Sequence, residues 1–393
     1  MKIGIVLSNT PAYSETFFNA KIRGLIKNGF EVEIFVEKKD NSFSLCDVKV
    51  APSIYKRNLV KLFLSVFVTY LKLLFYLPKV FRFAKLEREV GLSYFVILKK
   101  VYLNAHILRA KNIDWLHFGF GTVVLGREHL GKVIGAKLAV SFRGFDIGIY
   151  PLKQPNCYNL LWTCVDKVHV ISEDILNLAY KEGMTKNILT EKITPAINAE
   201  FFKASSTVNQ IENREKINFL SVGRLHWKKG YGDTLQALKI LKDQGIDFNY
   251  VIIGDGKEYE RIAFEVYQYG LFDNVEFKGK LTQSEIIDHM NQSDIYIQYS
   301  IQEGFCNAVL EAQSMGLLCL VSDAEGLSEN VLNGKTGWVI PKSNPLLLAA
   351  KIVEVLELSE NEKNTIKKNA SLRVKKEFSI EKQEQEFVNF YKD

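Results

Sequence analysis

Two glutamates eight positions apart have the spacing to bind a ligand that carries phosphate and hydroxyl groups. Glu303 opens the segment EGFCNAVLE and Glu311 closes it. An apolar strand pattern precedes this segment and a helical pattern ends it, so we predict a strand-to-helix turn. Glu303 would lie beside the free N–H groups of the helix start, and Glu311 about two turns later. An isolated pair of this kind is more often two solvated charges, so its function depends on what lies nearby.

A second loop carries cations. It reads GRLHWKKG and follows an apolar run, with Gly223 and Arg224 at its start and Lys229 near its end. An arginine can clamp phosphate oxygens with its planar guanidinium, and a lysine adds a point charge. Loops at the carboxyl ends of parallel strands converge, so we expect this loop and the Glu303 loop to form one anion site. A third loop, GDG at 254–256, is by itself more typical of a simple turn.

Polar residues also follow predicted strands in the amino-terminal half. His117 ends one apolar run, and Arg143 and Asp146 follow another. These positions favour ligand contact, but a lone histidine is more often structural and the other two could form an ion pair. Glu15 lies in the first turn of the first predicted helix, after a loop without glycine. That loop lacks the dinucleotide fingerprint, which argues against a nicotinamide dehydrogenase.

Short apolar runs alternate with helical stretches in both halves of the chain, a pattern typical of parallel sheets covered on both faces. We predict two doubly wound domains at 1–200 and 217–375, a linker at 201–216 and a C-terminal helix at 376–393, with packing on the first domain as one option for that helix. The predicted strands are 2–7, 31–36, 113–117, 137–142, 167–171, 217–222, 250–253, 275–277, 294–298, 318–322 and 337–340.

The composition fits a globular protein in a reducing compartment. The chain has 393 residues, of which 47% are hydrophobic and 24% charged. Its five cysteines include no C-x-x-C pair, so neither a disulfide framework nor a zinc site is indicated. The opening run MKIGIVL is too short for a signal-peptide core and is predicted to be a core strand, so we expect no export.

The positive charge is concentrated in 48–111, which holds thirteen lysines and arginines against two glutamates. We predict amphipathic helices there. The run 62–71 has ten residues before Lys72, about 15 Å of helix, which is short for a membrane span. The segment could lie on an anionic membrane surface, or its apolar face could pack inside its own domain. Nucleic acid is the weakest option, because the aromatic residues recur at helical spacing.

Together the motifs resemble the retaining nucleotide-sugar glycosyltransferases of glycosyltransferase family 4, over essentially the whole chain. The resemblance rests on the GRL and KG of the cationic loop, the two glutamates with seven residues between them, GLSE at 326–329 and NGKTG at 333–337. SETF at 14–17, HFG at 117–119 and SFRGFD at 141–146 look like the branch that builds bacterial surface polysaccharides, including lipopolysaccharide and capsule.

This resemblance implies the GT-B fold, two Rossmann-like domains facing across a cleft. It implies that Arg224 and Lys229 hold the donor diphosphate, that Glu311 binds the ribose and that Glu303 holds the sugar, without a covalent nucleophile. The catalytic prediction is Arg224, Lys229 and Glu303. The donor-binding prediction is Gly223, Gly304, Phe305, Cys306, Asn307 and Glu311, and the acceptor-binding candidates are Glu15, His117, Arg143 and Asp146. The chain has no Asp-x-Asp pair, so neither a metal nor another cofactor is expected.

The resemblance further implies transfer from a nucleotide diphosphate sugar, with UDP as the expected nucleotide, to a saccharide or lipid-linked saccharide. The enzyme would be cytoplasmic and peripheral at the inner face of the membrane. The alternatives are a sugar-nucleotide-binding scaffold without turnover and a GT-B-fold epimerase. Two residues depart from the family pattern: Arg143 replaces a common histidine, and Cys306 replaces a small glycine and is expected to narrow the donor pocket.

Overall fold

The computed structural model describes residues 1–11, 16–40, 42–55, 58–203 and 216–392. The chain divides into two compact units, of which the first comprises Met1–Ile193 with Gln383–Asp393 and the second comprises Thr194–Lys382. Most of the predicted linker falls outside the described residues, since 204–215 are not among them.

The first unit is built on a parallel sheet with seven described strands in the order β3-β2-β1-β4-β5-β6-β7. The order reverses between β1 and β4, which makes the sheet doubly wound. The strands are β1 (Lys2–Val6), β2 (Glu31–Val36), β3 (Asp47–Val50), β4 (Trp115–Phe118), β5 (Lys137–Phe142), β6 (Lys167–Val170) and β7 (Leu189–Lys192).

The two edge strands, β3 and β7, were not predicted. Their sequences are DVKV and LTEK, and most of their residues are at least partly exposed. An edge strand is solvated along one side, so it can carry charged residues and lacks the apolar run by which the other strands were recognised. β3 also corrects the predicted basic helical segment, which was placed from residue 48, because the helical part starts only at Leu59.

Helices of very different length connect these strands. Those of the first unit are α1 (Thr16–Lys27), α2 (Leu59–Leu73), α3 (Leu77–Glu89), α4 (Tyr94–Leu103), α5 (Ala105–Leu108), α6 (Gly121–Val124), α7 (Leu130–Ile134), α8 (Phe145–Gly148), α9 (Tyr150–Lys153), α10 (Asn159–Trp162) and α11 (Glu173–Lys181). A 3-10 turn at Leu74–Tyr76 joins α2 to α3. Asn58 starts α2 by accepting a hydrogen bond from the N–H of Lys61, and Pro78 stands in the first turn of α3, where a proline is tolerated.

The continuous helical run Leu59–Glu89 has 31 residues and is long and apolar enough to cross a membrane, and only 11% of its most apolar window is buried. The sequence argument counted the uninterrupted apolar run alone and therefore judged the segment too short. Helix length and composition by themselves leave both a spanning and an interfacial position open.

The second unit holds six described parallel strands in the order β10-β9-β8-β11-β12-β13. The strands are β8 (Ile217–Val222), β9 (Phe248–Ile253), β10 (Val275–Gly279), β11 (Ile295–Gln298), β12 (Leu318–Ser322) and β13 (Trp338–Ile340). The helices are α12 (Tyr231–Asp243), α13 (Tyr259–Gln268), α14 (Gln283–Asn291), α15 (Asn307–Ser314), α16 (Leu327–Asn330), α17 (Pro345–Glu357) and α18 (Glu360–Glu377). Each predicted strand of this half is present, and the predicted fold class of two doubly wound parallel-sheet domains is confirmed.

The last helix, α19 (Ile380–Lys392), completes the core of the first unit. Phe387, Phe390 and Tyr391 are buried there among residues of the central strands. The indole N–H of Trp115 donates to the carbonyl of Tyr391 at 3.1 Å, and the ammonium of Lys167 donates to the carbonyl of Phe390 at 2.8 Å. The end of the chain is therefore part of the first unit's hydrophobic core.

Candidate functional site

Four loops at the carboxyl ends of β8, β9, β11 and β12 hold one another by backbone hydrogen bonds. The N–H of Leu225 donates to the carbonyl of Asp255 at 3.1 Å, and the N–H of Ile301 donates to the carbonyl of Lys228 at 2.7 Å. The N–H of Gly326 donates to the carbonyl of Glu303 at 2.9 Å. The cationic loop, the GDG loop, the Glu303 loop and the GLSE segment thus form one layer on the second sheet.

Glycine is required where these loops meet. Gly230 has φ +64°, and a Cβ there would stand 2.0 Å from the carbonyl oxygen of Tyr299. Gly254 has φ +140°, and a Cβ there would stand 1.9 Å from the carbonyl oxygen of Gly223. Residues with side chains would push the loops apart. The GDG loop, interpreted from sequence as a simple turn, is therefore a supporting element of the site.

Lys229 and Glu303 form an ion pair across two of these loops. The ammonium lies 2.5 Å from Glu303 Oε2, and the two side chains are 16% and 17% exposed. Burial, the largest single influence, pulls the pKa of Lys229 down, but the charge of Glu303, the neighbouring Cys306 and the hydrogen bond to Glu303 together raise the pKa overall. Lys229 therefore stays charged. The resemblance assigns Lys229 to the donor diphosphate and Glu303 to the donor sugar. In the structure these two side chains are in direct contact.

Arg224 is exposed in the same cationic loop. Within the described part of the chain its guanidinium makes no hydrogen bond or ion pair, while its charge acts on its neighbours. Burial, followed by the charge of Arg224, lowers the pKa of His226. Arg224 is therefore an exposed cation in the same loop as Lys229, and its guanidinium is available to bind a phosphate group.

Glu325 is a site residue that sequence reasoning missed. Its Oε2 accepts the N–H of Glu303 at 2.7 Å, and its Oε1 lies 3.4 Å from the ammonium of Lys342. It adopts a positive φ of 27°. Glu325 thus supports the backbone of the loop that carries Glu303. Its position directly before the GLSE motif was the available signal.

Asn330 fixes the backbone at the start of α15 through two hydrogen bonds. The side-chain carbonyl of Asn330 accepts the N–H of Cys306 at 3.0 Å, and its amide donates to the carbonyl of Cys306 at 3.1 Å. This clamp fixes the backbone at 304–307, where the predicted donor contacts of Gly304 and Asn307 lie. Phe305 is 8% exposed and packs on Phe378 with ring centroids 5.7 Å apart. Its backbone therefore remains the part suited to contact a ligand.

Cys306 was expected to narrow the donor pocket, but its side chain is buried. It is 4% exposed, and its thiol lies 3.6 Å from the side-chain oxygen of the buried residue Gln298. Burial is the largest influence on this thiol and raises its pKa to about 11. The side chain thus packs in the interior beneath the loop. This position does not support the prediction that Cys306 narrows the donor pocket.

Glu311 is a desolvated carboxylate on the second turn of α15. Burial raises its pKa to about 7. Within the described residues it has no hydrogen-bond donor or cation as a partner. A carboxylate in such a place gains stability from any ligand that supplies hydroxyl donors.

The acceptor candidates of the first unit lie in quite different environments. His117 is fully buried, with Nε2 2.7 Å from Ser141 Oγ and Nδ1 2.6 Å from the hydroxyl of Tyr391. Burial, then the charge of Lys21, hold its pKa well below the usual range. These contacts favour the structural interpretation of His117, whose ring does not reach the surface in this structure.

Asp146 organises backbone. Its carboxylate, 2% exposed, accepts the N–H groups of Gly121, Arg143 and Gly144 at 2.9–3.0 Å. The guanidinium of Arg143 lies over the ring of Phe17, 3.8 Å from its centroid. Burial of this kind suits a loop-forming role for Asp146. Glu15, the fourth acceptor candidate, lies outside the described residues.

Comparison with known proteins finds similarity to glycosyltransferases. Residues 204–373 match the family model described as Glycosyl transferases group 1. The WcaL protein of Escherichia coli strain K12, named as a colanic acid biosynthesis glycosyltransferase, is 25% identical over 397 residues, which cover 96% of each chain. The amylovoran biosynthesis glycosyltransferase AmsK of Erwinia amylovora is 28% identical over 281 residues, 68% of this chain and 66% of AmsK.

Solved structures show the same architecture. The crystal structure of Anabaena HepE in complex with UDP and glucose superposes with a TM-score of 0.72 over 100% of both chains, at 16% identity. Sucrose-phosphate synthase of Thermosynechococcus elongatus superposes with a TM-score of 0.74 over 100% of this chain and 98% of that chain, also at 16% identity. The fold is therefore GT-B.

Proposed function

We propose that this glycosyltransferase, a GT-B protein with a group 1 domain at 204–373, moves a hexose from a UDP-sugar to a membrane-associated saccharide, with retention of configuration, in surface polysaccharide synthesis. The relatives named for colanic acid and amylovoran biosynthesis support the pathway class. The HepE complex with UDP supports the choice of nucleotide.

The ion pair of Lys229 and Glu303 beside Arg224 carries the proposal. As the bond to the departing diphosphate breaks, negative charge grows on a phosphate oxygen, and fixed cations stabilise that charge best where water is scarce. Lys229 is charged and largely buried, so it meets this requirement. Arg224 adds a second, solvent-facing cation.

Glu303 and Glu311 would contact hydroxyl groups. Glu303 is neutralised by Lys229 and is supported through its N–H by Glu325, so its carboxylate can accept sugar hydroxyls without being a free charge. Glu311 is desolvated and would accept the ribose hydroxyls. In this proposal the acceptor hydroxyl attacks the anomeric carbon on the face that the diphosphate leaves and passes its proton to the departing phosphate oxygen. No covalent enzyme intermediate forms, and the chain's residues bind and neutralise the reactants.

A nucleotide-binding experiment tests the donor site. UDP should raise the melting temperature of the full chain, because a ligand at about 100 times its dissociation constant stabilises by about 2.7 kcal/mol. R224A should weaken UDP binding, whereas K239A, which removes an exposed lysine of α12, should not. Equal responses of both variants to UDP would contradict the assignment of Arg224.

A product assay separates transfer from the two alternatives. Incubation with UDP-sugars and membrane lipid extracts should give glycosylated lipid only when both are present. An epimerase would convert the UDP-sugar with no acceptor, and a scaffold would bind it without turnover. Either result with the full chain overturns the proposed transfer.

The membrane part of the proposal rests on the apolar-basic face, which we define as the outward surface of α2, the 3-10 turn Leu74–Tyr76, α3 and α4. Phe63, Phe75 and Phe95 are 72%, 88% and 80% exposed. The other exposed large apolar residues of this face are Leu59, Val60, Leu64, Phe67, Val68, Leu71, Leu74, Leu77, Phe81, Tyr94, Val96 and Leu98. Such a group of exposed apolar residues indicates an interaction surface.

Cations accompany the apolar residues on this face. Those exposed are Lys61, Lys72, Arg82, Lys85, Arg88 and Lys99. Each basic residue near an anionic surface contributes about 1 kcal/mol. The predicted contributions of Lys56 and Arg57 fall outside the described residues. An anionic lipid surface satisfies both the apolar and the basic part of the face, which makes it the proposed partner.

Polar contacts tie α2 to α4 and favour an interfacial position over a spanning one. The hydroxyls of Ser65 and Tyr102 lie 2.8 Å apart, and the hydroxyl of Tyr70 donates to the carbonyl of Leu98 at 2.8 Å. If α2 crossed the bilayer without α4, Ser65 and Tyr70 would lose these hydrogen-bond partners. We therefore propose that the apolar-basic face lies in the plane of the membrane surface.

Sedimentation with lipid vesicles tests this arrangement. Binding should be stronger to vesicles that contain phosphatidylglycerol than to pure phosphatidylcholine, and F63S/F75S/F95S should reduce it. F272S, which changes a phenylalanine of the second unit that is 64% exposed, is the matched control. Equal binding of the triple variant and the control would contradict the proposal, and resistance of membrane-bound protein to alkaline extraction would indicate a spanning helix instead.

A further inference from the structure

A polar cavity of about 390 Å³ lies in the first unit, apart from the donor loops. Its volume falls within the range of about 300–1,000 Å³ that small-ligand sites occupy. The cavity is formed where Glu37, directly after β2, meets α4, α6 and the turn after α6. Its polar lining residues are Glu37, Lys100, Asn104, Thr122 and Arg127.

The charged groups of this cavity are held rigidly. Arg127 Nη2 donates to Glu37 Oε1 at 2.9 Å, and Arg127 Nε donates to Asn104 Oδ1 at 3.0 Å. Arg127 Nη1 donates to the carbonyl of Val123 at 3.1 Å. Lys100 is anchored by the fully buried carboxylate of Glu87. A guanidinium fixed at all three nitrogens presents its remaining N–H groups in a defined geometry.

At the wall of the cavity, Glu37 and Thr122 have hydrogen-bonding atoms that the described residues leave unused. Glu37 bonds Arg127 through one oxygen, and its side chain is 56% exposed, so its second oxygen is accessible. The hydroxyl of Thr122 has no hydrogen-bond partner among the residues that the structure describes. Hydroxyl groups can use such a mixture, because each both donates, here to a carboxylate, and accepts, here from a guanidinium.

The cavity and the apolar-basic face share α4. Tyr94, Phe95 and Leu98 of that face stand on α4, and Lys100 and Leu103 near its end line the cavity. The whole helix has ten residues, about 15 Å. A saccharide attached to a lipid would thus find a hydroxyl-binding wall one short helix away from the surface proposed to hold the lipid.

From these observations we propose that the cavity between Glu37, α4 and Arg127 is the subsite that binds the acceptor saccharide. The inference rests on the proposed transfer function and adds where the acceptor is recognised. It moves acceptor recognition away from His117 and Asp146, which are 0% and 2% exposed, to residues that the motifs did not indicate. Pyranose hydroxyl groups are the chemistry that the wall fits.

Saturation-transfer NMR on the full chain with UDP and a mixture of methyl glucoside, galactoside, mannoside and glucuronide tests the subsite. Wild type should transfer saturation to at least one glycoside. E37Q removes a hydroxyl acceptor at an exposed position, and T122W fills the cavity. E37Q should weaken that glycoside's binding about ten-fold, the effect of losing a hydrogen bond to a charged group. T122W should weaken it at least as much, because the indole occupies the cavity. E31Q, at the exposed amino end of β2, the strand that Glu37 directly follows, is the matched control.

The outcomes separate the subsite from the donor site. If UDP binds to every variant while wild type binds no glycoside, or if E37Q and T122W both retain the affinity of E31Q, the subsite assignment is overturned. If UDP does not bind to wild type, the proposed donor chemistry fails whatever the glycosides do. Because Thr122 lies in the first unit and the donor residues lie in the second, an unchanged thermal transition of the first unit is the measurement that shows T122W to be folded.

Discussion

Replacing Glu311 by glutamine should make the ligand-free protein more stable while it weakens donor binding. Burial raises the pKa of this carboxyl from 4.5 to about 7. Ionisation is therefore less favourable in the folded chain than in the unfolded one. Glutamine has nearly the same shape and never ionises, so E311Q removes this cost.

The magnitude follows from the pKa. Below the unfolded value both states are protonated and Glu311 costs nothing. As the pH rises through the interval between 4.5 and about 7, the unfolded state ionises first and stability falls. Above the folded value the full shift applies, about 3.5 kcal/mol at about 1.4 kcal/mol per pKa unit. The partial solvent contact of the side chain lowers this toward about 2 kcal/mol.

Thermal unfolding of wild type and E311Q near pH 8 and near pH 4 measures this cost. The transition of the second unit should rise by roughly 4–12 °C in E311Q near pH 8 and by much less near pH 4. E357Q changes an exposed glutamate of α17 and serves as the control. A rise of equal size at both pH values would refute the argument, because the effect would then not depend on ionisation.

Donor affinity should change in the opposite direction. Ribose hydroxyls donate best to an ionised carboxylate, so UDP should bind wild type more tightly as the pH rises through about 7. E311Q should lose that pH dependence and bind UDP roughly 10 to 100 times more weakly. Calorimetric titration of UDP against pH measures both effects. Identical binding curves for wild type and E311Q would remove Glu311 from the nucleotide site.

Three further perturbations test the site and the first unit. K229A should leave the Glu303 carboxylate largely buried without its cation and lower stability by about 3 kcal/mol in urea unfolding, with much of it restored in K229A/E303Q. G230A should abolish UDP binding in a titration, because its Cβ would stand 2.0 Å from the carbonyl oxygen of Tyr299. Burial holds the pKa of His117 well below its usual range, so the first unit should lose stability below about pH 6.5, where only the unfolded state takes up the proton, and H117Q should flatten that dependence in thermal unfolding.

Sequence patterns predicted the interior strands because these bury both faces. The strands β1 and β12 consist mainly of apolar residues, KIGIV and LCLVS, and such runs are recognisable without any partner strand. β3 was not predicted, because its pairing with β2, and not its own composition, makes it a strand. The prediction that the loops after β8 and β11 meet needed only the rule for parallel sheets.

Contacts distant in the chain were beyond the reach of those patterns. Glu325 supports Glu303 through a side-chain contact 22 positions away, and nothing periodic indicates it. Cys306 was expected to narrow the donor pocket, but its thiol lies beside Gln298 and its backbone is bound by Asn330, both on neighbouring elements. Asp146 was read as a partner for a ligand or for Arg143, and the backbone groups around it take up its carboxylate.

The sequence by itself determined the two parallel sheets, the loops that carry the charged residues and the residue types of the proposed donor site, because periodicity and loop chemistry are set by near neighbours. Only the tertiary structure decided that Lys229 and Glu303, 74 positions apart, neutralise one another and that Glu311 is desolvated. It also decided that His117 faces inward while Phe63 faces outward. Burial decides these differences, and burial is a property of the packed chain.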